Sequence, residues 1–194
     1  MQGGIQVNAQ GRRFCDETRG YSEQAAEVLR QPGAIAWDIF DARIAAAARQ
    51  FEDFQTAERA GAILTAQSIG ELAAAMRVPA DVLGKEWNYV EALKARGEVD
   101  RYGRPFAPEQ RLLPPFRAVK VTGALFHTQG GLAIDAIGRV KRNDGTIFPN
   151  LFAAGGAAAG VSGTTAAGYL SGCLLTATVL GRFAGEAAAA LVLR

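Results

Sequence analysis

The sequence predicts an α+β fold, with short strands interspersed among helices and no internal repeat. Two kinds of pattern predict it. Apolar and polar residues alternate over residues 5–7 and 116–121, which is typical of half-buried strands, and residues 35–41 form an apolar run of strand length. Apolar residues recur at helical spacing over residues 42–54 and 83–90. At 194 residues, the chain can bury a sizeable core.

Local signals place the helix ends. Ser68 and Glu71 have the spacing of a capping box, in which the serine accepts from the Glu71 amide and the glutamate accepts from the Ser68 amide. Pro79 suits the first position of a helix, and Gly97 suits its end. The predicted elements are, in order, a strand–turn–strand unit over 5–14, a helix over 23–29, a strand over 35–41, helices over 42–54, 68–76 and 79–97, a strand over 116–121, a strand and turn over 132–147, a strand over 151–154, and a helix from about 166 to near the C-terminus.

Composition and charge exclude several classes of function. The formal net charge of +2 and the scattered lysines and arginines argue against nucleic-acid binding. Cys15 and Cys173 are isolated, so no disulfide framework and no metal site are expected, and two such thiols fit a cytoplasmic protein. Residues 1–14 lack the pattern of a signal peptide. Residues 145–181 carry no charge, but Pro149 and several glycines interrupt them, so we expect no membrane span.

The segment that begins at residue 151 has the pattern of a ligand-binding turn. A short apolar strand ends in Gly155 and Gly156 and continues through small residues into a long helix. Such a turn lets the backbone approach a flat or phosphorylated ligand, and the amides at the start of the helix face an acceptor on that ligand. A glycine-rich turn that only packs a helix tightly against a sheet has the same pattern, and spacing alone does not separate the two.

Four blocks of sequence carry a resemblance to a known family. They are GGIQVN at residues 3–8 with GRRFCDE at 11–17, HTQGGLAID at 127–135, PNLFAAGG at 149–156 and LGRFAG at 180–185. In this order, and over nearly the whole chain, they resemble the fumarate reductase/succinate dehydrogenase flavoprotein family. The resemblance implies a capping domain of that family's type over residues 8–122. It also implies that residues 1–7 and 123–194 form the C-terminal strands and helix of an incomplete FAD-binding α/β domain.

The resemblance further implies FAD as the cofactor. Two glycines match those that pass close to the flavin, three residues match the loop beside the ribityl chain, and two match the helix start that faces the pyrimidine end. These positions are Gly130, Gly131, Ala154, Gly155, Gly156, Leu170 and Ser171. No G-x-G-x-x-G is present to bind the ADP part of FAD. We therefore expect the chain alone to bind little or no FAD and to be inactive.

Tyr21 and His127 are the candidate catalytic residues. His127 matches one histidine of a family His-His-Thr motif, although its neighbour here is Phe126. Tyr21 stands where fumarate reductases of the family place their proton-delivering arginine, and Ala166 stands where they place the arginine that binds a substrate carboxylate. The family chemistry is hydride transfer with flavin N5, which makes or saturates a C=C bond. Tyr21 is then the acid or base, and His127 a carbonyl donor or proton relay. Packing roles for both residues stay open.

The two missing arginines bear on the substrate. A buried carboxylate needs paired, charged donors, so a small dicarboxylate is a poor fit and a ketone-bearing or hydroaromatic small molecule is expected instead. Whether the chain is a fragment, a split subunit or a truncated gene product stays open. Without the rest of the FAD-binding domain, the chain should expose apolar surface. We therefore expect a homo-oligomer or association with the missing FAD-binding part. The alternative function is a non-catalytic, self-associating remnant of a capping domain.

Overall fold

A computed structural model describes residues 2–124, 130–159 and 173–193, with side chains from residue 176 onward in the last range. The chain divides into two compact units, one of residues 2–124 and one of the described residues beyond 125. Both units contain helices and antiparallel strands, so the predicted mixture of helix and sheet is confirmed.

The first unit is built around four strands and five helices. In chain order these are β1 (Ile5–Asn8), α1 (Tyr21–Leu29), β2 (Ile35–Asp41), α2 (Ala42–Ala48), α3 (Glu52–Arg59), β3 (Ile63–Ala66), α4 (Ile69–Met76), α5 (Ala80–Arg96) and β4 (Phe116–Thr122). The strands form one antiparallel sheet with the order β1-β2-β4-β3. β1 lies at one edge of this sheet, and it contains residues 5–7, which the resemblance assigned to the other domain.

One face of the sheet carries the main core. Ile39 pairs with Ile5 on one side and with Ala118 on the other, so these three side chains share a face. Trp87 of α5 meets the Phe116 ring edge to face, with ring centroids 5.0 Å apart. The buried residues that α4 and α5 add to this cluster are Leu72, Ala73, Met76, Leu83, Trp87, Val90 and Leu93. Burial of this apolar surface is the main source of stability for the unit.

The opposite face of the sheet is more polar. Asp38 pairs with Gln6 and with Val119, which places all three side chains on this face. Phe54 of α3 packs against Phe40, with ring centroids 6.0 Å apart. Gln6 and Asp38 therefore direct their side chains away from the main core.

The single helix predicted over residues 42–54 is wrong, because two helices take its place. α2 ends at Ala48 with Arg49 as its C-cap, and Phe51 has an extended backbone (φ −101°, ψ 132°) before α3 begins. The Gln55 side chain donates a hydrogen bond of 2.7 Å to the Arg49 carbonyl and so satisfies the end of α2. Glu52 at the start of α3 favours a new helix N-terminus at this position.

Other helix boundaries agree with their sequence signals. Ser68 caps α4 by accepting from the Glu71 amide at 3.2 Å. The Glu71 carboxylate accepts from the Gln67 amide at 3.0 Å, one residue before the predicted partner. Gly97 ends α5 in the left-handed conformation at φ 66°, as predicted, whereas Pro79 is the N-cap, one residue before the predicted first position.

The second unit contains a two-stranded antiparallel sheet and a long helix. Its elements are β5 (Arg139–Lys141), β6 (Ile147–Phe152), a 3-10 turn (Gly155–Ala157) and α6 (Cys173–Val192). The buried residues of its small core are Val140, Ala153 and Ala158. α6 lies very close to the loop before β5, because a Cβ atom on Gly138 would be 2.7 Å from the Ala184 Cβ.

Candidate active site

Tyr21 begins helix α1 at the rim of a cavity in the first unit. Its side chain is 67% exposed. The cavity has a volume of about 540 Å³, and its lining residues are Gln6, Glu17, Thr18, Arg19, Gly20, Tyr21, Gln24 and Asp38. A phenol at such a rim can reach both an entering ligand and the polar groups of the cavity, as an acid or base requires. The catalytic role of Tyr21 stays a prediction.

A buried ion cluster holds the segment that leads to Tyr21. Arg13 Nε and Nη2 donate to the two Glu17 carboxylate oxygens at 2.7 and 2.8 Å. Arg104 Nη1 donates to Glu17 Oε2 at 2.7 Å, and the backbone amide of Gln6 donates to Glu17 Oε1 at 3.0 Å. The Arg13 and Arg104 side chains are 0% and 2% exposed. Glu17 therefore joins β1, the loop after it and a segment 87 residues further along the chain.

Asp100 and Tyr102 complete this cluster. Asp100 Oδ2 lies 2.7 Å from Arg13 Nη1, although the two atoms are not aligned as a hydrogen bond. The Tyr102 hydroxyl donates to the Arg13 carbonyl at 2.7 Å. Burial alone lowers the pKa of Arg13, but the hydrogen bonds of Glu17 and the negative charges of Glu17 and Asp100 outweigh it and raise the pKa above its ordinary value. The loop before α1 is thus held by several charge-assisted contacts.

A line of amide side chains connects this loop to the sheet. Gln24 of α1 donates to Gln6 Oε1, and Gln6 Nε2 donates to Asp38 Oδ1 at 2.7 Å. The Cys15 thiol donates to Gln24 Oε1 at 3.4 Å. Burial raises the pKa of Cys15 to about 11, so this thiol is protonated and unreactive at neutral pH. Burial also raises the pKa of Asp38, against the lowering effect of the Gln6 hydrogen bond.

The sequence interpretation did not identify these polar residues. The signal that could have found two of them is the presence of Gln6 and Asp38 inside otherwise apolar strands, where a polar residue needs a partner. Arg104 carries no such local signal, because its contact with Glu17 depends on the tertiary fold.

In the second unit, the two glycine segments implied by the resemblance lie side by side. The Leu132 amide donates to the Ala157 carbonyl, and the Ala159 amide donates to the Leu132 carbonyl, both at 2.9 Å. Leu132 and Ala158 form a parallel bridge. Gly130 and Gly131 are therefore next to the strand-end loop of residues 154–156.

The glycines of this pair of segments have different structural roles. A Cβ on Gly131 would lie 2.4 Å from the Ala158 carbonyl carbon, so the parallel bridge itself requires glycine there. Gly155 has φ 57°, and a Cβ would lie 3.1 Å from the Ala177 Cβ of α6. A Cβ on Gly156 would meet no atom within 4 Å. Gly131 and Gly155 are thus explained by packing, whereas Gly156 presents an open stretch of backbone.

These features fit one edge of a flavin. Gly130 is exposed and the backbone at Gly156 is open, so a flat ring system can approach both segments without meeting side chains. Ala154 precedes the 3-10 turn and has an extended backbone. His127, Leu170 and Ser171 lie outside the described residues, as does the predicted helix start near residue 166. Among the described residues, no cluster of ligands could hold a metal ion.

The chain belongs to a family of FAD-binding proteins. The family model described as the FAD binding domain matches residues 1–169. The resemblance to fumarate reductase flavoproteins is confirmed by the relatives and solved structures that match the chain. FAD is the cofactor of this class of protein. None of the helices in the described ranges is long and apolar enough to cross a membrane.

Two relatives indicate the range of this family. A probable fumarate reductase of Shewanella frigidimarina is 29% identical over 187 residues, which is 96% of this chain and 31% of the relative. A 3-oxosteroid 1-dehydrogenase of Mycobacterium tuberculosis is 31% identical over 199 residues, which covers 84% of this chain and 34% of the relative. The chain thus spans about a third of the length of these curated relatives.

Solved structures agree with this assignment. The open conformation of a flavocytochrome c3 fumarate reductase matches with a TM-score of 0.74 at 27% identity, over 100% of this chain and 33% of that one. A 3-ketosteroid delta1-dehydrogenase from Sterolibacterium denitrificans matches with a TM-score of 0.71 at 23% identity, over 97% of this chain and 39% of that one. The second match supports the fold alone.

Proposed function

We propose that the chain is the capping and C-terminal part of an FAD-dependent oxidoreductase that makes or saturates a C=C bond. The observation that carries the proposal is the bridge between Leu132 and Ala158, which joins two glycine segments in a chain of an FAD-binding family. When bound, FAD supplies hydride transfer at its N5 atom. The polypeptide then has to orient the substrate, exclude water and move one proton.

The proposed roles belong to residues of both units, each considered by itself. The residues that would hold the cofactor are 130–131, 154–156, Leu170 and Ser171. Tyr21 donates or accepts the proton at the substrate carbon next to the one that exchanges hydride. His127 donates a hydrogen bond to a substrate carbonyl. In this proposal, residues 8–122 are the capping domain, and residues 1–7 and 123–194 belong to the FAD-binding domain.

The proposed substrate is a small neutral molecule with a ketone or a hydroaromatic ring. The relatives include enzymes named for fumarate, for acrylate and for 3-oxosteroids. The lining of the cavity at Tyr21 favours an uncharged substrate over a dicarboxylate, because Asp38 adds a carboxyl group there. A dicarboxylate would meet the negative potential of Asp38 without a free buried cation among the described lining residues.

The first experiment is a titration of the purified chain with FAD, which we expect to show no tight, stoichiometric complex. The second fuses the chain to the amino-terminal part of the Shewanella frigidimarina fumarate reductase. We expect this fusion to bind FAD and to turn over a cyclic ketone faster than fumarate. Tyr21→Phe in the fusion should lower turnover by about 10²-fold to 10⁴-fold, the usual contribution of a general acid or base.

Tyr89→Phe is the matched control, because it removes a hydroxyl from a tyrosine of α5 outside the Tyr21 cavity. Its turnover should equal that of the unmodified fusion. Unchanged turnover in Tyr21→Phe would contradict the role of Tyr21, and faster turnover of fumarate than of the ketone would contradict the substrate class. Tight binding of FAD by the chain alone would contradict the view that it holds only one edge of the cofactor.

A second candidate function is supported by exposed apolar side chains. In the second unit, Leu132, Ile137, Leu151 and Phe183 are each between 42% and 46% exposed. Such surface favours association, so a non-catalytic, self-associating capping-domain remnant is the alternative. Light scattering of the purified chain separates the two functions. The alternative requires an oligomer that persists when the FAD-binding part is supplied. The oxidoreductase proposal predicts that the oligomer dissociates and that each chain binds the FAD-binding part instead. Location in the cytoplasm stays a prediction.

A further inference from the structure

A second cavity lies against the polar face of the sheet in the first unit. It has a volume of about 400 Å³ and meets the Tyr21 cavity at four shared lining residues: Gln6, Glu17, Thr18 and Asp38. Its walls are mainly apolar. Its apolar lining residues are Ile5, Ile39, Phe40, Ile44, Phe54 and Val119, of which Ile5 and Ile39 line it with backbone because their side chains lie on the other face of the sheet. The cavity thus has an aromatic and aliphatic body with one polar end, which is the usual form of a small-molecule site.

The charges at the polar end do not balance. Glu17 accepts from both Arg13 and Arg104, and Arg13 also pairs with Asp100, so two guanidinium groups compensate two carboxylates. Asp38 is the remaining carboxyl group. Its hydrogen bond within residues 2–124 comes from the neutral amide of Gln6.

The other charged groups near Asp38 do not neutralise it. Arg19 lines the Tyr21 cavity but is exposed to solvent, so its charge is screened. Arg117, on the same face of the sheet, pairs with Glu58 at 3.1 Å. A half-buried carboxylate beside an apolar cavity, with no cation partner among the residues that the structure describes, is the arrangement that a ligand cation would complete.

We propose that this cavity binds a small amphipathic amine, with its ammonium group paired to Asp38 and its apolar body against Phe40 and Phe54. The two aromatic rings add a favourable surface for such a body. Binding of this amine requires neither bound flavin nor a chemical reaction, so the inference does not depend on the proposed function. The proposed ligand of the first unit is a cation, whereas fumarate is an anion.

The test compares three probes of matched shape on the 194-residue chain. They are 2-phenylethylamine, 2-phenylethanol and 3-phenylpropionate, which are positive, neutral and negative at pH 7. We expect calorimetry to show saturable binding of the amine at least about tenfold tighter than that of the alcohol, because a charged hydrogen bond is stronger than a neutral one. The carboxylate should bind more weakly than the alcohol.

Two variants locate the site. Asp38→Asn keeps the shape and the acceptor for Gln6, and it should bring amine and alcohol to equal affinity. Phe54→Ala should weaken both probes by a similar factor. Asp81→Asn, a change at an exposed carboxylate of α5, should leave the preference for the amine intact. Circular dichroism checks that each variant is folded.

Equal binding of amine and alcohol by the unmodified chain would overturn the proposal, and this comparison needs no variant. Absence of saturable amine binding would overturn it as well. Retention of the amine preference in Asp38→Asn, or unchanged affinities in Phe54→Ala, would place the amine elsewhere and reject the assignment. None of these results bears on FAD binding or on turnover by the fusion protein.

Discussion

Replacing Glu17 with glutamine tests whether the buried ion cluster is a main support of the first unit. The glutamine keeps the size of the side chain but puts an amide nitrogen where one carboxylate oxygen accepts from a guanidinium. Arg13 and Arg104 then lose the negative charge that they share, and both are almost fully buried. The perturbation therefore leaves two buried cations against the single carboxylate of Asp100.

The expected cost follows from this geometry. Removal of one partner from a buried ion pair typically costs about 3–5 kcal/mol, because the remaining charge stays desolvated. Glu17 accepts three guanidinium hydrogen bonds and one from the Gln6 amide, so we place Glu17→Gln in that range. The loss is a large share of the 5–15 kcal/mol, roughly, by which domains are stable.

The assay is urea unfolding followed by tryptophan fluorescence. Trp37 and Trp87 are the two tryptophans of the chain and both lie in the first unit, so their signal reports this unit. Glu98→Gln is the control, because its pair with Arg96 is exposed on both sides and contributes little. An unfolding midpoint of Glu17→Gln equal to that of Glu98→Gln would refute the reasoning.

Three further changes have defined outcomes. Gly131→Ala should break the bridge to Ala158 and speed hydrogen exchange of the Ala159 amide, whereas Gly156→Ala should leave that exchange unchanged. Burial raises the pKa of Asp38 in the folded state, so ionisation of Asp38 opposes folding. Below the pKa of an unfolded aspartate, about 4, Asp38 is protonated in both states and costs no stability. As pH rises through the higher folded-state pKa, the free energy of unfolding falls. Asp38→Asn should therefore be more stable than the unmodified chain at pH 7 in urea unfolding and equal to it at pH 3; equal stability at pH 7 would contradict this. Gly84→Ala, within α5 and with open space around the new Cβ, should raise the unfolding free energy by about 0.5–1 kcal/mol, and a loss in urea unfolding would count against it.

The elements that the sequence predicted well are those with local causes. β2 spans the predicted residues, since its apolar run is bounded by turn residues before it and by a helix cap at Asp41. α5 ends at Gly97 because glycine adopts the left-handed conformation without strain. The break between α2 and α3 was missed, because apolar spacing continues across it and the interruption depends on the Gln55 side chain.

The candidate site was predictable only in part. The turn at Gly155 and Gly156 was found from its pattern, and Gly130 and Gly131 were found by resemblance. The contact between the two segments depends on a parallel bridge that no local pattern shows. The Gln6 and Asp38 pair joins residues 32 apart in the chain, and it follows from the register of β1 on β2. Register is set by the buried faces of a whole sheet, so short motifs do not reveal which polar side chains meet.

The strand order β1-β2-β4-β3 has a consequence for synthesis of the chain. β4 is the last strand of the sheet to emerge from the ribosome. It lies between β2 and β3, and these two strands do not pair directly with each other. Until residue 122 is available, β3 has no partner and one edge of β2 is open, so nascent chains expose strand edges that favour aggregation. Chains arrested before Phe116 should therefore need chaperones, whereas chains released beyond Thr122 can close the sheet in one step.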